Sequence, residues 1–357
     1  MEKIPLKNML RGVTTPLASI FGSGFLVIIS VLGGTVGEYS VFAMAAVCGL
    51  AYAVGSVIRY NIRFAEPSIE SGNAGGLTMT FERGADFALV PAYVISVTLY
   101  LRIMSSYTFE LLEINSETYE QILTTGVIVF ILAVALTKGL AVLEGLEKWA
   151  LIITILIIVI LMVSFAIYDF SVISIGNYTP PVFPQHSLWH MITILAGTLI
   201  VVQGFETTRY LEDEYDTETR IRACRNSQII STIVYLLFVG LATPLMHFLP
   251  ISVSDNALMT LTAAVAVWLT FPLVFAAVFS QFSAAVADTI GGSGNIVELT
   301  NKRIKQKVTY ILICGFAILL CWTADTLQIL ALASRAFALY YFLQCLVAIS
   351  VSRMFYE

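Results

Sequence analysis

The sequence predicts an all-α membrane protein of ten transmembrane helices, arranged as two inverted five-helix repeats in which helices 1 and 6 are broken. Three observations carry that prediction. The 357 residues are 58% hydrophobic and only 12% charged, about half the charged share of an ordinary soluble domain. Uncharged runs long enough to cross a bilayer recur from one end of the chain to the other. The Lys and Arg residues gather on the side that such a fold places in the cytoplasm.

A helix needs about 20 apolar residues to span a bilayer. Uncharged runs cover 12–37, 39–58, 121–137, 149–168, 170–205, 226–254, 256–287 and 308–324, and runs at 87–109 and 326–352 are each interrupted by one arginine. They place spans at 15–34, 39–60, 86–109, 121–138, 147–168, 189–211, 226–248, 258–288, 307–323 and 326–351. The basic residues test this map independently. Of the 19 Lys and Arg residues, all but Arg102 and Arg335 fall at the N-terminus or around the inner ends and loops after spans 2, 4, 6, 8 and 10. That asymmetry predicts both termini in the cytoplasm, in the cell (inner) membrane. An offset of 172–185 residues carries the first five spans onto the last five. An odd number of spans per half inverts the second half, giving repeats at 1–170 and 188–357. Pro180, Pro181 and Pro184 mark the connector between them, and its Asn177-Tyr178-Thr179 sequon reads as chance.

Several function classes drop out. A net charge of −5 without a basic stripe argues against nucleic acid as a partner. The five cysteines show no metal or disulfide spacing and read as small buried hydrophobes, with Cys224 placed in a charged loop. His186, His190 and His247 form no catalytic or HExxH pattern, so neither an enzyme nor a cofactor is expected. Gly291-Gly292-Ser293-Gly294 lacks the Lys-Ser/Thr of a phosphate loop and reads as a flexible connector after span 8.

Two spans are interrupted by glycine. Span 1 holds Phe21-Gly22-Ser23-Gly24-Phe25, and span 6 holds Gly197 and then Gln203-Gly204-Phe205-Glu206. Each glycine weakens a helix by about 1 kcal/mol relative to Ala and lets a backbone or ligand approach closely. Small residues also serve plain helix packing. Gly22 and Gly204 are 182 residues apart, in register with the repeat offset, and paired interruptions point to a binding site at the bilayer midplane.

Ser19-Ile20-Phe21-Gly22-Ser23-Gly24-Phe25-Leu26 resembles the first-helix signature of the amino acid–polyamine–organocation (APC) permeases. Gly204-Phe205-Glu206 with its following acidic and basic loop resembles their sixth helix, and Ser280-Gln281-Phe282-Ser283-Ala284-Ala285-Val286-Ala287-Asp288 the end of their eighth. The resemblance implies a secondary transporter of amino acids or related small amines. It places the substrate at Gly22 with its carboxylate on the amides of Ser23 and Gly24 and the Ser23 hydroxyl, and the amino group on the carbonyls of Ile20, Ile200 and Gln203 beside Gly204. Met104 and Tyr107 of span 3 would line one wall. A sodium site would use the carbonyls of Ala18 and Phe21 and the hydroxyl of Ser283, although Ala284 stands where a second hydroxyl often occurs. The lysine that some proton-coupled relatives carry within span 5 is absent. The expected partners are a small amino acid or amine, the lipid bilayer, and H+ or Na+.

Charged groups inside spans are functional candidates by default. Glu206, just past the second break, suits a proton carrier; its alternative is a structural acid bonded to the open backbone or paired with Arg209. Arg102 and Arg335 suit an outer gate or a clamp for an anionic substrate, or else a structural pair with Asp325, Glu110 or another outer acid, or snorkelling. Two rival functions stay open: an inorganic (potassium-type) cation transporter of the same fold, and an amino-acid sensor that moves no solute.

Overall fold

Ten long helical segments follow the order that the apolar runs dictate. In the computed structural model, residues 6–176, 178–181, 186–212, 215–249 and 254–354 are described, without the side chains at 6–11, 23, 141–147, 190 and 354. The Ser23 hydroxyl, the Asn177 sequon, Pro184 and the His190 ring therefore lie outside the described residues. We label the spans α1 (Leu6–Thr35), α2 (Ser40–Tyr60), α3 (Gly76–Leu111), α4 (Glu117–Thr137), α5 (Ala141–Ile175), α6 (Leu188–Gly197), α7 (Thr217–Ala242), α8 (Thr270–Leu299), α9 (Gln306–Thr323) and α10 (Thr326–Met354). Among the described residues there is no strand, and nine helices are long and apolar enough to cross a membrane, or ten when the bent first helix is included.

The sequence explains why these helices need lipid. Ile152, Ile155, Leu156, Val159 and Val163 of α5 are all exposed, an apolar face that a water-soluble protein would have to cover. The opposite face buries Ile157, Leu161 and Phe165 in the main apolar core. The helix partners follow a five-step rule. α3 packs on α8, α5 on α8 as α10 does on α3, and α1 on α7 as the α6 segment does on α2. In these pairs, adding five to each helix number, cyclically, turns one contact into another, as expected of two five-helix repeats.

Three local expectations are corrected. The Gly291-Gly292-Ser293-Gly294 run is not a loop but part of α8, which continues to Leu299. A methyl at Gly292 would lie 3.2 Å from Tyr93 Cβ and 3.3 Å from Ile313 Cδ1, so these glycines admit close packing on α3 and α9. The N-terminal part of span 8 is a separate helix, Ala257–Val265, set off by extended Ala266. Cys224 is fully buried within α7. That helix starts early because the Asp216 side chain caps it, accepting from the Thr219 N–H at 2.7 Å. All five cysteines are free thiols.

The predicted interruption of span 6 opens the chain, and that of span 1 is a bend within a helix that stays α-helical from Leu6 to Thr35. In α1 the pieces Gly12–Gly22 and Gly24–Thr35 meet at 42°. After α6 the chain tightens into a 3-10 turn at Thr198–Val202, becomes extended at Gln203 (φ −72°, ψ 161°), and resumes as a 3-10 turn at Phe205–Tyr210. Gly204 adopts φ +124°, a conformation open to glycine and costly to other residues. A Cβ there would also lie 2.7 Å from the Ser19 side chain and 2.8 Å from Ile20 N. Gly204→Ala should therefore cost about 1–3 kcal/mol from backbone strain, with the overlap added. Thermal unfolding of the detergent-purified protein should show a lowered midpoint, and an unchanged midpoint would contradict this geometry.

Candidate functional site

The two interruptions face each other. A methyl on Gly24 would overlap the Val201 carbonyl and side chain, and one on Gly204 would overlap Ser19 and Ile20. Each break thus presents a glycine to the backbone of the other. The Tyr235 hydroxyl of α7 serves the carbonyls of both segments, lying 2.9 Å from Ile20 O and 3.1 Å from Val201 O. From α8 the Gln281 amide donates to Gly22 O. These bonds supply the partners that loosened membrane backbone needs.

Of the predicted substrate residues, Ile20, Gly22, Gly24, Ile200, Gln203 and Gly204 lie on these two segments, and Ile20, Ile200 and Gln203 are buried. Tyr107 reaches α1, donating to Leu26 O at 2.8 Å. Met104 does not join them. It packs in a second apolar cluster with Ile128, Ile131 and Cys314, because its direction on α3 points toward α4 and α9.

The residues proposed for sodium do come together. Ala18, Phe21, Gly22, Ser280 and Ser283 border a cavity of about 10 Å³ with Ala150, Leu151 and Thr154 of α5, room for one water or bare cation. Thr154 was not singled out by the sequence. Its buried Oγ1 has no hydrogen-bond partner, so it offers an oxygen from a third helix beside the lone Ser283. A hydroxyl in the long apolar run of α5 was the available signal.

Glu206 is buried and caps the break. Its Oε2 accepts from the Gly204 N–H at 2.8 Å and from the Tyr341 hydroxyl at 2.9 Å. It is not paired with Arg209, which turns the other way. Arg209 donates to Glu66 Oε1 at 3.0 Å, Glu82 Oε1 at 2.8 Å and Gln344 Oε1 at 2.7 Å. Arg220 adds a contact to Glu66 Oε2 at 2.9 Å and donates to the Arg209 carbonyl at 3.0 Å. One guanidinium thus ties the segment after α6 to the α2–α3 connection, the base of α3 and α10, while Arg220 brings in α7. No local pattern in the sequence joins these groups, because Arg209 lies 143 residues from Glu66 and 127 from Glu82.

The two intramembrane arginines differ. Arg102 is 2% exposed and pairs with Glu117 Oε1 at 3.1 Å, while its Nε and Nη1 have no partner. Its acid is Glu117, on the adjoining α4, and not Glu110 or Asp325. Arg335 lies on an exposed face and joins none of the ion pairs among the described residues, the arrangement of a snorkelling side chain. Nearer the other end of the bundle, Ser106 Oγ donates to Asp255 Oδ1 and Ser30 Oγ to Asp255 O, both at 3.2 Å, which holds the segment before Ala257–Val265 against α1 and α3. Among the described residues no group of three or more His, Cys, Asp and Glu is placed to hold a metal.

A family model described as an APC superfamily transporter matches residues 2–355. An uncharacterized protein of Aquifex aeolicus (strain VF5) is 39% identical over 350 residues, covering 97% of this chain and 85% of its own length. Among solved structures, the chain is similar to MHP1, a nucleobase-cation-symport-1 family transporter in a closed conformation with bromovinylhydantoin bound. The TM-score is 0.57 at 13% identity, over 90% of this chain and 75% of that one. The manganese transporter of Eremococcus coleocola gives a TM-score of 0.53 at 10% identity, over 96% of this chain and 77% of that one. At such identities what is shared is the fold, that of the inverted-repeat transporters.

The Arg209 hub makes a direct prediction. Removing one partner from a buried ion pair costs about 3–5 kcal/mol, since the others stay buried without it. Arg209→Met should lower the unfolding midpoint sharply, and adding Glu66→Gln and Glu82→Gln should recover part of the loss. Simple additivity of the three changes would contradict a shared network.

Proposed function

This chain belongs to the APC superfamily of transporters, and from that membership we propose that it carries an amino acid or a related small amine by alternating access, with its binding site between α1 and the α6 break. The protein is an integral membrane secondary transporter; the substrate class is our reading. The observation that carries it is the opened backbone at Gln203-Gly204 lying against the bend of α1. Main-chain groups freed at midplane suit a zwitterion, with N–H groups for a carboxylate and C=O groups for an ammonium.

In this reading the amides of Gly22, Ser23 and Gly24 receive the carboxylate. The carbonyls of Ile20, Ile200 and Gln203 receive the ammonium, Ile20 exchanging its bond from Tyr235 for one from the substrate. Glu206 serves as the coupling carboxyl: it is bonded to the Gly204 N–H, so a change in its protonation changes what holds the break. The Arg209 hub is the inner closure, which must loosen for release to that side. Both termini lie in the cytoplasm of a cell with this protein in its inner membrane, and the repeats divide at 1–170 and 188–357. The 10 Å³ cavity at Ala18, Phe21, Thr154 and Ser283 favours a second reading, in which a bare inorganic cation binds there as coupling ion or as cargo.

Ligand screening decides between the classes, because binding stabilises the folded state by an amount set by concentration over affinity. Purified protein should gain thermal stability with an amino acid or amine. Stabilisation by potassium or sodium alone, with none by any amino acid or amine, would overturn the first reading in favour of the second. With a hit in hand, Glu206→Gln in proteoliposomes should abolish the pH dependence of uptake while leaving substrate exchange measurable. A mutant with the wild-type pH profile would remove Glu206 from coupling.

A further inference from the structure

A second carboxyl lies inside the bundle without a basic partner. Asp288 of α8 keeps its Oδ2 shielded from solvent and without a hydrogen-bond donor, and it joins none of the ion pairs among the described residues. The groups facing it come from two other elements. Ser96 of α3 lies beside it, and Glu206 adds a second negative group within electrostatic reach. Tyr93 and Tyr100, on the same face of α3 as Ser96, also feel its charge. The packing of Gly291 and Gly292 on Tyr93 brings α8 this close.

The chain of neighbours continues to the α6 break. Ser96 lies beside Tyr100, and the Tyr100 hydroxyl accepts from Gln203 Nε2 at 3.2 Å. Gln203 is 2% exposed and Ser96 is fully buried, yet Gln203 Oε1 and Ser96 Oγ have no partner of good geometry. Three helical segments therefore converge on a spot where a carboxyl oxygen, an amide oxygen and a hydroxyl all lack partners. Arg209 cannot balance it, being taken up by Glu66, Glu82 and Gln344. Native structures rarely leave buried acceptors unserved, and a lone membrane carboxyl is a functional site by default. A carboxylate only accepts, whereas a carboxylic acid also donates, so one proton removes the uncompensated charge and lets the carboxyl serve one of these acceptors.

We propose that Asp288 is a proton-binding site of the transport cycle, walled by Ser96, Tyr100 and Gln203. Binding forms one O–H bond on Asp288. Release breaks that bond and forms one O–H bond on a water molecule that carries the proton away. The chain Asp288, Ser96, Tyr100, Gln203 then links the proton to the backbone break where substrate binds. The proposal rests on the transporter reading but not on which solute is carried.

Infrared difference spectroscopy of the full chain in lipid nanodiscs tests it without a substrate. At neutral pH, in choline chloride, the wild type should show a protonated-carboxyl C=O band that shifts in D2O. Asp288→Asn should remove that band, Ser96→Ala should shift it, and Glu206→Gln should retain it. Should Asp288→Asn fail to fold, Asp288→Glu should move the band instead. A band unchanged by the Asp288 variants overturns the proposal. So does its loss in the wild type when choline is replaced by sodium or potassium, which would assign the site to an alkali cation. An unaltered pH profile of uptake in Glu206→Gln, with the Asp288 band as expected, would reject the coupling role of Glu206 and leave the Asp288 site standing.

Discussion

The architecture turns on a backbone-to-backbone contact between two interrupted helices. Gly24 meets Val201, and Gly204 meets Ser19 and Ile20, at separations that leave no room for a Cβ. Side chains cannot mediate this contact, so the polar groups left by the interruptions are served from outside: Tyr235 for Ile20 and Val201, Gln281 for Gly22, Glu206 for the Gly204 amide. In lipid such groups have no water to fall back on. The arrangement is stable because α7, α8 and α10 each contribute a polar side chain or its partner.

The same logic extends to the ends of the bundle. Arg209 gathers Glu66, Glu82 and Gln344 around the segment that leaves the α6 break. The hub thus lies five residues along the chain from Gly204. Ser30 and Ser106 hold the Asp255 segment from α1 and α3 with two hydrogen bonds.

Much of this was legible in the residues. Long apolar runs fixed the ten spans, and the register of Gly22 with Gly204 located the breaks, because bilayer thickness and glycine conformation act locally. Long-range pairing was not legible. Arg209 and Glu66 are 143 residues apart, and no local pattern joins them. Gly291 and Gly292 look like a loop until Tyr93 is seen against them, and Cys224 looks exposed because its neighbours along the chain are charged. Met104 and Tyr107 sit three residues apart on α3, yet the helix turns one to the second apolar cluster and the other to Leu26. Thr154 was hidden by its apolar surroundings, the setting that leaves its hydroxyl without a partner.

The central claim is that α1 and α6 part at these glycines to admit a solute onto main-chain atoms. Its most direct test is an experimental structure in lipid with the strongest ligand from a binding screen. The account predicts ligand density within hydrogen-bond distance of the backbone at Gly22–Gly24 and at 200–204, with Tyr235 released from Ile20. Density elsewhere in the bundle, with Gly24 still against Val201 and Gly204 still against Ile20, would contradict it.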